Sequence, residues 1–387
     1  MADGITRIAV EGFKSIAKRQ EIEIAPLTIL AGANSSGKSS IMQPLLMLKQ
    51  TLEATYDPGP LKIDGPNVNF TEAKEFLSRQ NETPKLDIEI GFDGSSRIGW
   101  TFQRQSAASV LHILEQRWSD DDKGFSVLAN LPGVSRGRFD LYVSAAVPPP
   151  IPRITELIQK IVHLPGLRGT RERLYPAANV GPIFPGTFDS YHASVILHWQ
   201  KDNPSGPEEL IEDLRHTGLA KMVLARRVSD VAIALHVAFS DHPHWMDNVA
   251  DVGFGVSQAL PVLVALRAAE PGRLVYIEEP EIHLHPRAQA KLADILADAA
   301  KRGVRVVVET HSSLLLRAVQ TLVAKGDLDP SLVRLHWFTR DSDGVTQVSS
   351  TKLDANGAFG DWPEDFGDVA LQSEQEYLDA VEDRLAR

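Results

Sequence analysis

The clearest chemistry in this chain lies in the run Gly32-Ala33-Asn34-Ser35-Ser36-Gly37-Lys38-Ser39-Ser40. It meets the pattern G-x-x-x-x-G-K-[ST] at each fixed position. Glycines at 32 and 37 let the backbone wrap closely around phosphates. Successive N–H groups and the N-terminus of the next helix meet the negative charge. Lys38 reaches the β- and γ-phosphates, and the Ser39 hydroxyl suits a Mg²⁺ ion. Asn34, Ser35, Gly37, Lys38, Ser39 and Ser40 are therefore the expected nucleotide contacts. Phe13, ahead of this run, is a candidate to stack on an adenine base or, alternatively, a core aromatic.

A phosphate loop needs further groups to hold metal and activate water. Glu278 and Glu279 end the apolar run Leu274-Val275-Tyr276-Ile277, where a parallel sheet presents its active groups. Adjacent strand-end residues point in different directions. Glu278 is accordingly assigned to the metal and Glu279 to the attacking water. His311 ends a second apolar run, Val306-Val307-Val308-Glu309-Thr310, and can donate to the γ-phosphate or the water. The glycine-rich piece Gly253-Phe254-Gly255-Val256-Ser257-Gln258 precedes a helix and forms a second anion-binding candidate. One chain needs only one phosphate loop, so Ser257 is expected to close on the nucleotide of a second subunit. His283 and His285, bracketed by Pro280 and Pro286, read as a structural turn rather than a metal site.

These groups need strands and helices to hold them. Residues 27–30 read as the strand before the loop and 40–52 as the helix after it. Strands are expected at 5–10, 21–24, 86–92, 98–102, 231–237, 274–277, 304–308 and 332–338, with 345–348 as a hairpin partner. Helices are expected at 72–79, 110–118, 154–161, 208–215, 219–224, 288–299 and 313–323, and at 260–266 with Pro261 near its start. Ser312 is a candidate N-cap. His163, Arg168, Arg171 and Arg173 form a basic cluster that can face phosphate, a partner carboxylate or solvent. The expected division is a nucleotide-binding domain in two parts, 1–104 and 225–340, an insertion and helical subdomain at 105–224, and a small C-terminal module at 341–387. The tail at 374–381 reads as an acidic amphipathic helix.

Composition narrows the class. The 387 residues carry a formal net charge of −11, which gives no global attraction to nucleic acid, although a local basic groove remains open. The absence of cysteine excludes disulfides and Cys-ligated zinc. No run approaches about 18 apolar residues, and no basic, then apolar, leader opens the sequence, so a cytoplasmic protein is expected.

Taken in order, the elements resemble the ABC-type ATPase heads of SMC, RecF-like, double-strand-break repair and OLD proteins. In that resemblance residues 32–39 correspond to Walker A, 253–258 to the signature, 274–279 to Walker B, 281–285 to the D-loop and His311 to the switch histidine. The 279–286 run and the pieces Asp343-Gly344, Leu353-Asp354, Gly357 and Asp361-Trp362-Pro363 resemble compact bacterial AAA-family ATPases with an uncharacterised C-terminal module. The resemblance implies an α/β P-loop NTPase of the ABC/SMC-head type, with a mixed central sheet, an antiparallel side sheet and an inserted helical region. It implies ATP and Mg²⁺, an ATP-sandwiched homodimer or higher oligomer, and an effector partner such as a nuclease or toxin in anti-phage defence or DNA maintenance. A slow-turnover scaffold and a RecF-like DNA-binding repair ATPase are the alternatives. Two departures stand out: Glu278 replaces the usual Asp, and the signature lacks the adjacent second glycine of transporters. An OLD nuclease would carry a TOPRIM domain after the ATPase, whereas only 49 of the 387 residues follow Phe338.

Overall fold

The computed structural model describes residues 4–80, 84–104, 111–119, 126–129, 151–168, 172–202, 205–242, 245–360, 375–376, 378–379 and 384. Its central sheet contains β3 (Leu27–Gly32), β8 (Val162–Leu164), β13 (Leu274–Glu278), β14 (Arg305–Thr310), β15 (Val333–Arg340) and β16 (Thr346–Thr351). The spatial order is β16-β15-β3-β14-β13-β8, and all but β16 run parallel. Parallel strands are covered on both faces, which is why β3 and β14 are buried along their whole length.

The pleat sends alternate residues into two cores. Val306 and Val308 of β14 enter a core with α3 (His192–Asp202), α4 (Ser205–Thr217), α5 (Phe254–Ala268), α6 (Pro286–Lys301) and α7 (Ser313–Ala324). Val307 enters the other, with α1 (Lys38–Leu52), α2 (Ile151–Gln159) and an antiparallel side sheet. That sheet runs β2 (Gln20–Glu23), β1 (Ile5–Glu11), β4 (Lys85–Phe92), β5 (Ser96–Arg104), β6 (Leu111–Ser119), β7 (Ser126–Ala129). A third, smaller sheet joins β9 (Tyr175–Pro176), β10 (Met222–Ser229), β11 (Ala232–Ala238) and β12 (Asp247–Asn248).

Several expectations are corrected here. Residues 111–118 form a strand, not a helix, because β6 pairs along β5 from Arg97 to Arg104. The side sheet therefore continues past residue 104, β8 enters the central sheet, and β9 pairs with β11, so 105–224 is not one separate insertion. The expected helix at 219–224 gives way to β10, since α4 ends at Gly218 in a left-handed conformation (φ 73°). The helix expected at 72–79 is a single tight turn at Ala73–Glu75. Pro261 stands inside α5, which begins at Phe254. β16 belongs to the central sheet, so the C-terminal segment from 341 is partly core. Arg171 and half of the 374–381 tail lie outside the described residues.

Candidate nucleotide site

The loop between β3 and α1 is shaped by two glycines that no other residue can replace. Gly32 has φ 145°, and a Cβ there would lie 2.2 Å from the Phe338 carbonyl oxygen. Gly37 has φ 109°, and its Cβ would lie 2.4 Å from Thr346 Oγ1. Gly37 is also the N-cap of α1 and offers no side-chain cap, so the first-turn N–H groups are available to an anion. Lys38 folds over the loop, its Nζ donating to the carbonyls of Gly32 (3.0 Å) and Ala33 (2.9 Å). Burial lowers its pKa, opposed by Glu309, Glu279 and Glu281. Asn34 and Ser35 are exposed at the crest, and Ser40 is buried in the first turn of α1. From below, the Thr346 hydroxyl lies 2.8 Å from the Ser36 carbonyl oxygen and 2.8 Å from Ser15 Oγ.

Glu279 and His311 come together, as their places at neighbouring strand ends require. His311 Nε2 lies 3.4 Å from Glu279 Oε1, both side chains being about one-third exposed. The Glu279 backbone is left-handed (φ 43°), and its N–H donates to the Glu309 carbonyl at 2.7 Å. Burial lowers the His311 pKa, Lys38 lowers it further, and Glu279 partly opposes them. His311 is thus neutral at pH 7 and has one ring nitrogen to donate and one to accept. Its loop is held by buried Glu281, whose Oε1 accepts from Thr310 Oγ1 (2.5 Å), His311 N (2.8 Å) and Ser312 N (3.1 Å). Ser312 caps α7, accepting from Leu315 N at 3.1 Å, and His285 caps α6, accepting from Arg287 N at 3.3 Å.

The sequence assigned Glu278 to the metal, but the carboxylate on Ser39 is Glu309. Ser39 Oγ donates to Glu309 Oε1 at 2.9 Å, and the Tyr276 hydroxyl donates to Oε2 at 2.9 Å. Glu278 is turned toward β8, with Oε1 3.3 Å from His163 Nε2 and Oε2 accepting from Gly166 N at 3.0 Å. The cause is register: Glu278 pairs with Glu309, and β14 lies between β13 and the loop strand β3. Burial, reinforced by Glu278, pushes the Glu309 carboxyl up to about 7, against the pull of Tyr276, Ser39 and Lys38. Burial also raises Glu278, but hydrogen bonds led by His163 outweigh it and leave that carboxyl below its ordinary value.

Arg168 is not part of a solvated basic patch. It is fully buried and donates to the carbonyls of Pro165, Gln258, Glu278 and Glu279, while its N–H donates to Gln258 Oε1 at 3.1 Å. Burial lowers its pKa to about 10, which leaves it charged at neutral pH. It ties the end of β13 to the start of α5. An arginine directly after the short apolar strand and Pro-Gly turn at 162–167 was the available signal. Two further assignments change. Phe13 is completely buried, its ring 5.7 Å from Phe76 and 6.1 Å from Phe70, so it is a core aromatic and presents no face to a base. Ser257 is also buried, and its hydroxyl donates to the Phe254 carbonyl at 3.0 Å within α5. Phe254 is the exposed large side chain of that loop, packed against the His283 ring at 5.4 Å.

The oxygen donors suit Mg²⁺, which takes one or two carboxylates plus phosphates rather than an all-protein cage. Among the described residues no cluster of three or more His, Cys, Asp or Glu could hold a metal ion, so a cation here would share its ligands with the nucleotide. Also among them, no helix is long and apolar enough to cross a membrane.

Two domain families match this chain. One, described as "AAA ATPase domain", covers residues 4–126, and the other, "AAA domain, putative AbiEii toxin, Type IV TA system", covers 156–317. The Old nuclease of Escherichia phage P2 is 22% identical over 363 residues, covering 81% of this chain and 57% of that protein. The chain thus spans little more than half the length of that relative. Among solved structures, an Smc head bound to the C-terminal winged-helix domain of ScpA superposes with a TM-score of 0.51 at 13% identity, covering 91% of this chain and 98% of the other. The chain is thus similar to AAA-type ATPase domains over two separate stretches and to the Old nuclease over most of its length, and its fold is that of an SMC head.

Proposed function

We propose that the chain binds ATP with Mg²⁺ in the loop at 32–40 and hydrolyses it, two copies closing on two nucleotides. The observation that carries this reading is the Glu279–His311 pair at 3.4 Å, on strand ends beside the lysine loop. In this reading Lys38 exchanges the Gly32 and Ala33 carbonyls for phosphate oxygens. Mg²⁺, when bound beside Ser39, would supply positive charge against the β- and γ-phosphates. Glu279 accepts a proton from the attacking water, and neutral His311 orients that water or donates to the γ-phosphate. Asn34, Ser35, Gly37 and Ser40 line the phosphate cradle, and the start of α5, with Ser257 in its first turn, completes the site of the second copy.

The output of hydrolysis is proposed to be control of an effector, a nuclease or a toxin in anti-phage defence or DNA maintenance. The relative's name, Old nuclease, and the toxin–antitoxin description of the second domain family support that reading. Steady-state phosphate release tests the chemistry. Glu279→Gln should retain ATP binding and lose about 10²–10⁴-fold in rate, the usual contribution of a general base. Lys38→Ala should lose binding itself. A Glu279→Gln protein that hydrolyses ATP at the wild-type rate would refute the assignment.

A further inference from the structure

We propose that Glu309, not Glu278, is the carboxylate that orients Ser39 and supports the nucleotide-bound divalent cation. The inference rests on the nucleotide reading above and assigns a residue within it. A serine hydroxyl that lends a lone pair to a cation must place its proton on another acceptor. Here that acceptor is Glu309 Oε1, 2.9 Å from Ser39 Oγ. Its second oxygen takes the Tyr276 proton at 2.9 Å, so both carboxylate oxygens are aimed by donors.

Topology explains why Glu309 and not Glu278 has this place. β14 pairs directly with β3, with Glu309 opposite Leu30, while β13 lies one strand further out. Neighbouring strands are about 4.8 Å apart, which sets the extra distance Glu278 must cover. Val307 faces the core that contains α1, and Glu309, two residues on, shares that face. Glu278 shares that face, two residues after Tyr276, but its oxygens are drawn toward His163 on β8 and the N–H of Gly166 behind it, with the Tyr276 hydroxyl between the two carboxyls. That loop also carries Arg168, whose guanidinium holds the carbonyls of Glu278 and Glu279. Glu278 is therefore a positioning residue that fastens the loop after β8 to the sheet. Glu309 leaves an acidic group at the metal position, where Mg²⁺ is commonly held by one or two carboxylates and phosphates.

The test separates cation support from folding and from chemistry. ATP affinity is measured by calorimetry in EDTA and in excess Mg²⁺, and Mn²⁺ binding to the ATP-loaded protein is followed by electron paramagnetic resonance. Wild type should bind ATP more tightly with Mg²⁺. Glu309→Gln should match wild type in EDTA within about twofold and lose most of the Mg²⁺-dependent gain, about tenfold or more, with weakened Mn²⁺ binding. Glu278→Gln should retain the gain. The EDTA affinity reports whether each variant is folded. Should Glu309→Gln not fold, Glu309→Asp carries the same expectation, because its shorter arm keeps the charge and loses the Ser39 bond. A full Mg²⁺ gain in both Glu309 variants, or in whichever of them folds, overturns this inference alone. Loss of the gain in Glu278→Gln but not in the Glu309 variants returns the role to Glu278. Wild-type protein that binds no ATP in either condition overturns the nucleotide reading, and this one with it.

Discussion

At the scale of single residues, buried ionisable groups make stability depend on pH, and His192 is the plainest case. Its ring is enclosed at the start of α3, Nδ1 lying 2.6 Å from the Asp189 carbonyl oxygen and the ring edge-on to Tyr175 at 4.7 Å. Burial lowers its pKa from 6.5 to about 4. The unfolded chain therefore takes up a proton at higher pH than the folded one. The resulting stability is fully present above pH 6.5 and is lost as pH falls toward 4. Its size is about 3 kcal/mol at most, from the shift times 1.36 kcal/mol per unit. His192→Gln, measured by urea unfolding, should reduce the loss between pH 6.5 and 4.5 by about 2 kcal/mol. An unchanged pH slope would contradict a neutral buried ring. The same scale shows what a sequence reveals about a site. Lys38, Ser39, Glu279 and His311 were legible because local pattern alone puts them at strand ends and a loop. Glu309 and Arg168 were not, because their partners lie 270 and about 110 residues away and depend on strand order. Phe13 was left open between a base and the core for the complementary reason. An aromatic beside a loop reads alike whether its ring meets a base or, as here, Phe70 and Phe76.

At the scale of elements, the proposed site needs the end of β13 and the start of α5 in a fixed relation. Arg168 supplies that relation through one side chain. Replacing it by Met keeps much of the volume but leaves the carbonyls of Glu278, Glu279 and Gln258 without this donor. Each such loss in a buried place costs about 1–3 kcal/mol. Arg168→Met is expected to lower the unfolding midpoint clearly, and to reduce ATP turnover far more than ATP affinity, since the loop at 32–40 is braced separately by Thr346. A variant with wild-type turnover would show that the tie is not needed. Element identity was well predicted wherever burial and length agreed, as in β3, β13 and β14. It failed for 110–118 because Leu111, Leu114 and Trp118 fall at helical spacing, while the alternation of the strand is broken at Leu114, where the register with β5 shifts. The choice was made by the partner, eight residues of β6 pairing along β5. No local preference of β6 contains that information.

At the scale of the molecule, the glycine-rich start of α5 and the phosphate loop lie on different layers. α5 packs in the core on one face of the central sheet and α1 in the core on the other. Beside that start two large apolar side chains are exposed, Phe254 at 41% and Leu167 at 82%, next to the exposed Arg173–Asp251 ion pair. An exposed apolar pair next to a helix N-terminus is what a second copy would cover on closing over a nucleotide. Ser257 is a poor place to test this, since its buried hydroxyl belongs to the first turn of α5. Phe254→Asp adds charge on the exposed surface instead, and should bind ATP but neither dimerise on it nor hydrolyse it. Glu279→Gln should dimerise on ATP without turnover. In a mixed dimer, the lysine loop and Glu279 of the Phe254→Asp chain face the intact α5 of the other chain, so one composite site is whole and both lesions fall in the second. Equal mixing should then restore up to about one-quarter of wild-type turnover, as half the dimers are mixed and each has one working site. If α5 served the nucleotide of its own chain, every site in the mixture would carry a lesion, and no activity would return.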